Sequence, residues 1–248
     1  MQRNFDRSSF EALSPVTLAV LEEIAHPVAH ASYLINLASP ERKLWKKSIA
    51  ALAEELRRAG VLGIPYVIVH PGAYTNSSEP RGLRRIVWAL DAIHKETDAT
   101  AARCLLETTA GQGTTLGGRF EHLATILGGV KAPERIGVCF DTCHVFAAGY
   151  PLKAEKEYRQ TMKFLDALVG LKRIRAFHLN DSLREFGSRV DRHAHIGHGH
   201  LGVEPFGQLL RDRRFRKVPM YLETPKGNKK GIDWDMINLR LLRRLTGH

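Results

Sequence analysis

The 248-residue chain has little cysteine: Cys104, Cys139 and Cys143 are its three thiols, odd in number and without a C-x-x-C pair. That usage excludes a disulfide framework and suits a reducing cytoplasm. Cys104 and Cys139 lie in apolar runs and read as buried thiols. Long apolar runs are also missing. No stretch reaches the roughly 18 residues that a membrane-spanning helix needs. The first thirteen residues carry Arg3, Asp6, Arg7 and Glu11 and lack the apolar centre of a secretory signal. No low-complexity linker divides the chain, so residues 1–248 read as one domain. The glycine-rich AGQGTTLGG at 110–118 lacks the terminal G-K-[ST] of a phosphate-binding loop and reads as a tight loop beside Glu107. Acidic residues are outnumbered, 26 against 37 Lys and Arg, which leaves a net charge of +11. A soluble chain this basic commonly meets a polyanion.

What the chain does contain is an alternation of short apolar runs and longer amphipathic ones. Strands are predicted at 26–30, 65–70, 103–107, 136–141, 174–178 and 219–223. Helices are predicted near 15–25, 40–59, 80–97, 117–128, 153–169, 204–212 and 233–245. Strand followed by helix, repeated, predicts a parallel sheet with right-handed crossovers, and the length fits a TIM-type (β/α)8 barrel.

Each apolar run ends in a side chain able to bind a metal: His30, His70, Glu107, Asp141, His178 and Glu223. A strand-end histidine taken alone is more often a hydrogen-bonded structural residue. Six such endings are hard to explain by packing, because all strand C-termini of a parallel barrel meet at one face. His144, three residues after Asp141 in DTCH, and the Asp191 and His193 of D-R-H extend the set. Mixed imidazole and carboxylate donors suit zinc or manganese. Nine donors exceed what one ion uses and suffice for three if a carboxylate bridges two. The other histidines are read differently. His26, His94, His122 and His248 read as structural or solvated, and His195, His198 and His200 as surface residues.

The chain resembles the endonuclease IV family of apurinic/apyrimidinic (AP) endonucleases in several stretches. These are HASYLINLA (30–38), HPGAY (70–74), LLETTAGQGTTLGGRFEHLA (105–124), GVCFDTCHVFAAGY (137–150), HLNDS (178–182), FGSRVDRHAHIGHGHLG (186–202) and LET (222–224). The resemblance implies three Zn2+ sites, Mn2+ being an alternative at one or more. One would use His30, His70 and Glu107; a second Glu107, Asp141, His178 and Glu223; a third His144, Asp191 and His193. Glu107, bridging two of them, is the implied catalytic residue. The implied reaction is hydrolysis of the phosphodiester 5′ to an abasic site in double-stranded DNA, leaving a 3′-hydroxyl and a 5′-deoxyribose phosphate. Trimming of blocked 3′ ends is implied as well. Tyr33 and Leu34 would enter the duplex at the lesion, an aromatic–aliphatic wedge of the kind that kinks DNA. The bland alternative places Leu34 with Ile35 and Leu37 in the core.

Basic clusters stand at Arg81, Arg84 and Arg85, at Arg211, Arg213, Arg214, Arg216 and Lys217, and at Lys226, Lys229 and Lys230. The last follows Glu223 and is expected to reach DNA phosphates. Two other functions are weighed. A sugar isomerase or epimerase of the xylose-isomerase-like kind shares the barrel and the donor types, but needs neither the third donor set nor a charge of +11. A non-catalytic binder of damaged DNA would not need intact donors. One departure from the family pattern stands out. The family opens with two further strand–helix segments before the region of His30, so six strands are expected here instead of eight. A barrel open in this way is expected to self-associate, and a complete one to be monomeric.

Overall fold

The structure, a computed structural model, describes residues 24–246. Its centre is a parallel sheet of β1 (Ala29–His30), β2 (Tyr66–Val69), β3 (Arg103–Glu107), β4 (Ile136–Asp141), β5 (Ile174–His178) and β8 (Met220–Tyr221), hydrogen-bonded in that order. Two short antiparallel hairpins accompany it: β6 (Asp181–Ser182) with β7 (His193–Ala194), and β9 (Asn228–Lys229) with β10 (Ile232–Asp233). Seven α-helices follow in chain order among the described residues: α1 (Arg42–Val61), α2 (Glu79–Glu96), α3 (Phe120–Gly129), α4 (Thr142–Ala147), α5 (Glu155–Leu168), α6 (Glu204–Arg211) and α7 (Trp234–Leu245). The architecture is the α/β TIM type, with six parallel strands among the described residues. None of the described helices is long and apolar enough to cross a membrane.

Strand alternation sets the layers. On β2 to β5, Ile68, Leu105, Cys139 and Ala176 point inward and form a fully buried interior layer. Their neighbours Val67, Val69, Cys104, Leu106, Val138, Phe140 and Phe177 point outward, against the helices. Each fully buried Leu, Ile or Phe stabilises the fold by roughly 1.5–3 kcal/mol. Two residues further along each strand, the inward positions are His70, Glu107, Asp141 and His178. The period of two that fills the interior therefore delivers four polar side chains to one end of it.

Local chemistry accounts for several element boundaries. Pro80 and Pro205 sit in the first turns of α2 and α6, where a missing N–H costs no helical hydrogen bond. Asp141 ends β4 and caps α4, its carboxylate accepting from His144 N at 2.7 Å. Asp233 caps α7 by accepting from Asp235 N.

Two points depart from expectation. The strands predicted at 26–30 and 219–223 shrink to two residues each; among the described residues each is hydrogen-bonded on one side only, to β2 and β5 respectively. Helix α4 was not expected; all six of its residues are buried, so it carries no amphipathic period. The helix predicted near 15–25 lies outside the described residues except at 24–25, which are not helical.

Candidate metal centre

Glu107, fully buried at the end of β3, is the hub. Its Oε2 lies 2.8 Å from His30 Nε2 and 3.0 Å from His70 Nε2, at the ends of β1 and just beyond β2. Its Oε1 lies 2.7 Å from His178 Nδ1, at the end of β5. His178 Nδ1 also stands 2.9 Å from Glu223 Oε2 and 3.9 Å from Asp141 Oδ2. A third group forms beside it. Asp191 Oδ1 is 3.1 Å from His144 Nε2 and 3.3 Å from His193 Nε2. The nine side chains singled out in the sequence thus converge as three donor groups, each with its ligand atoms within 4.8 Å of one another. The groups are His30, His70 and Glu107; Glu107, Asp141, His178 and Glu223; and His144, Asp191 and His193.

Tautomers sharpen the picture. His30 Nδ1 faces Ala31 O at 2.8 Å, His144 Nδ1 faces Thr108 O at 2.8 Å, and His193 Nδ1 faces Glu223 O at 3.2 Å. A carbonyl can only accept, so in each ring that nitrogen donates. In the neutral ring the other nitrogen then presents a lone pair, and it points at a carboxylate or at another such nitrogen. Two electron-rich atoms at this range need a proton or a cation between them. The donor set therefore fits divalent metal ions of the zinc type.

Charge follows the same logic. Burial alone would raise the Glu107 carboxyl; His178, with help from His30 and His70, outweighs it and holds Glu107 well below the usual carboxylate range. Asp191 is held down to about 2, its burial outweighed chiefly by His144. His144 is raised to about 10, because Asp141, Asp191 and Glu107 outweigh the burial that opposes its charge. Glu107 and Asp191 are thereby kept anionic and draw positive charge toward them.

Residues the sequence reading passed over hold this arrangement. Asn180, fully buried, donates from Nδ2 to Asp141 Oδ2 at 2.6 Å, and its Oδ1 accepts from Glu223 N at 2.9 Å. Thr108 Oγ1 accepts from Asp141 N at 2.9 Å. The Asp181 carboxylate accepts from the backbone N–H groups of Ser182, Gly199, Leu201 and Gly202 and anchors the far end of the loop that carries Asp191 and His193. Gly199 permits that approach: a Cβ there would sit 2.2 Å from Ser182 O. The HLNDS motif contained Asn180 and Asp181, but only its histidine carried an obvious chemical signal. Cys139 lies close to Glu107 and His178, and Cys143 close to Asp141 and His193. Burial pushes the Cys139 thiol up to about 12 and raises Cys143 too.

The residues read as DNA contacts fall differently. Tyr33 is 82% exposed and Leu34 60%, whereas Ile35 and Leu37 are buried. The core reading of SYLINLA therefore fails for Leu34. Lys226 is ion-paired with Asp235 at 2.5 Å, and Lys229 Nζ stands 5.1 Å from the Trp234 ring centroid. Lys230, exposed in the turn between β9 and β10, has a φ of 51°. Among the other clusters, Arg85 lies over the Trp45 ring, Arg211 bonds Leu245 O, and Arg214 pairs with Asp212. His195 stacks on Trp234, ring centroids 3.8 Å apart, and belongs to none of the three donor groups.

Comparison with known proteins gives concordant results. The family described as "Xylose isomerase-like TIM barrel" matches residues 19–244. The chain is 53% identical over 222 residues to the protein named probable endonuclease 4 of Chloroflexus aurantiacus, covering 89% of this chain and 77% of that one. It is 44% identical over 250 residues to the protein of the same name from Citrifermentans bemidjiense, covering 98% and 88%. Among solved structures, endonuclease IV from Thermus thermophilus superposes with a TM-score of 0.80 at 37% identity, covering 95% of this chain and 83% of that one. A D-tagatose 3-epimerase-like protein superposes with a TM-score of 0.71 at 20% identity, covering 94% and 84%, a likeness of fold alone.

Proposed function

Since this chain belongs to the endonuclease IV family of xylose isomerase-like TIM barrels, we propose that it is a metal-dependent AP endonuclease of base excision repair. Its substrate in this reading is double-stranded DNA, cut on the 5′ side of an abasic site to leave a 3′-hydroxyl and a 5′-deoxyribose phosphate. Blocked 3′ ends are a second substrate of the same chemistry. In this reading it acts in the cytoplasm, as a monomer where the barrel is complete. The observation that carries the reading is the convergence of nine imidazole and carboxylate side chains as three donor groups, two of which share Glu107.

Three zinc ions occupy the groups in this proposal, manganese being an alternative at one or more. When bound, such ions supply Lewis acidity for a phosphodiester and lower the pKa of water. The chain's own residues set the geometry. Glu107 turns one oxygen to His30 and His70 and the other to His178, so one carboxylate aligns two groups. Asn180 holds Asp141 and the backbone of Glu223 in register. Tyr33 and Leu34, exposed just past His30, enter the duplex at the lesion, where extruding a sugar without a base costs less than flipping a paired nucleotide. Lys229 and Lys230, exposed on the hairpin after Glu223, contact phosphates, and Lys226 joins them if it releases Asp235.

The decisive experiment is incision of a labelled duplex with one tetrahydrofuran abasic analogue, with and without chelator. A chelator-sensitive cut immediately 5′ to the analogue, with a 3′-hydroxyl end, is the expected result. Absence of that cut together with epimerisation of a ketohexose would favour a sugar epimerase, the reading to which the shared fold also belongs.

A further inference from the structure

The end of the barrel opposite the donor groups carries its own charge pattern. A cavity of about 290 Å3 opens there, at the starts of β2, β3, β4 and β5. Arg103, Lys172, Arg173 and Arg175 line it, with Glu134 as the one acidic residue. Arg173 is fixed by the carbonyls of Pro133 and Ile136. Arg103, Lys172 and Arg175 have no ion-pair or hydrogen-bond partner among the described residues. Arg103, Lys172 and Arg175 are exposed, so their cationic groups are free to meet an anion that enters the cavity. Gly137 makes room for it: a Cβ there would come within 2.9 Å of Arg175 Cγ and 2.6 Å of Leu105 Cδ2.

A second cavity, about 220 Å3, shares Tyr66 and Arg175 with the first. Its walls include Pro27, Pro65, Pro219 and Tyr221, with Lys217 at the rim. A cationic pit therefore adjoins a pit walled by proline and tyrosine rings. Each alone is smaller than the roughly 300–1,000 Å3 of a ligand pocket, but side by side they reach that range, and neither admits a duplex. The buried layer of Ile68, Leu105, Cys139 and Ala176 lies between the first cavity and Glu107, while Tyr221 of the second meets the His178 ring edge-on, centroids 6.4 Å apart.

We propose that this end of the barrel binds a nucleoside polyphosphate, its phosphates among Arg103, Lys172, Arg173 and Arg175 and its base against Tyr66 and Tyr221. Arginine suits the first part, because its planar fork matches phosphate oxygens two at a time. Tyrosine suits the second, because any base offers a face to stack on.

The test is calorimetric titration of the full, metal-loaded chain with ATP, inorganic pyrophosphate and adenosine. In the Arg103→Gln/Arg175→Gln double variant the affinity for ATP and for pyrophosphate should fall by about tenfold or more, while incision of abasic duplex stays at the wild-type rate. In Tyr66→Ala, ATP should weaken and pyrophosphate should not. Equal ATP affinity in the double variant and the wild type overturns the proposal. So does ATP binding that chelator abolishes and the double variant leaves intact, since that places the nucleotide at the metal groups. Should the double variant melt abnormally, Lys172→Gln/Lys217→Gln alters exposed side chains only. It must lower ATP affinity and flatten its salt dependence, and unchanged binding there is equally fatal.

Discussion

His144 Nε2 and His193 Nε2 stand 3.3 Å apart, each on a ring whose other nitrogen is committed to a backbone carbonyl. Both also face Asp191 Oδ1. Two imidazoles and a carboxylate converging in this way form a site that neither of the other donor groups can replace. His193→Ala should therefore lower metal content by one ion per chain and leave the remainder bound. Elemental analysis of monodisperse protein checks this; unchanged content would assign His193 a structural role.

Glu107 serves two groups at once, and its burial leaves no solvent to substitute for it. Glu107→Gln keeps the shape and removes the charge. Incision should fall by about three orders of magnitude or more, while affinity for abasic duplex, set by the outer surface, changes little. Single-turnover kinetics alongside a binding titration separates the two effects. Near-normal cleavage by the variant would remove Glu107 from the reaction.

The legible part of this molecule was its strand ends. Apolar runs closing on His70, Glu107, Asp141 and His178 coincide with β2 to β5 because strand alternation is a local rule that tertiary context does not override. The edges were less legible: among the described residues β1 and β8 each find a ladder partner on one side only, a fact of pairing that no single segment contains. Helix α4 lacked a polar face to mark it. Asn180 was invisible for a different reason. Its partners Asp141 and Glu223 lie 39 and 43 residues away, so its role exists only once the strands are side by side.

That role is testable because Asn180 touches no proposed substrate. Its amide uses both ends, Nδ2 on a carboxylate and Oδ1 on a backbone N–H, so Asn180→Ala frees Asp141 and leaves Glu223 N without its acceptor. Partners that orient metal ligands typically govern about 10–100-fold in affinity or activity. The expected result is a fall of that size in kcat with little change in KM, largely recovered at raised zinc concentration. A purely structural residue would lower melting temperature and show no zinc rescue.

Stability at low pH should depend on Asp212. Its carboxylate accepts from Tyr158 Oη at 2.9 Å and from Arg214 Nη2 at 2.6 Å, joining α5 to the turn after α6. Burial would raise its pKa, but Arg214 and Tyr158 outweigh it and hold it below the ordinary aspartate value. A depressed folded pKa means that the stabilisation is complete above the unfolded value near 3.8 and is lost as pH falls through the folded one. Asp212→Asn should cost about 1–2 kcal/mol at neutral pH, and the gap to wild type should close as both are titrated toward the lowest pH at which they stay folded. Denaturant melts across that range measure it; a gap independent of pH would show that packing and not charge is at stake.

Tyr33 separates recognition from folding. With 82% of its surface exposed it contributes little to the core, so Tyr33→Ala should leave stability within about 0.5 kcal/mol of wild type. Its backbone turn is held independently, through Ile35 N on Ser32 O and Leu34 N on Ser32 Oγ, so the loop keeps its shape without the ring. Removing a side chain that wedges into an unstacked step forfeits stacking worth roughly 1–3 kcal/mol. Affinity for a duplex with an abasic analogue should therefore drop about tenfold, and affinity for undamaged duplex, held by phosphate contacts alone, should stay unchanged. The ratio of the two affinities, measured at one salt concentration, is the informative quantity. A ratio equal to that of wild type would mean that Tyr33 is exposed for some purpose other than reading the lesion.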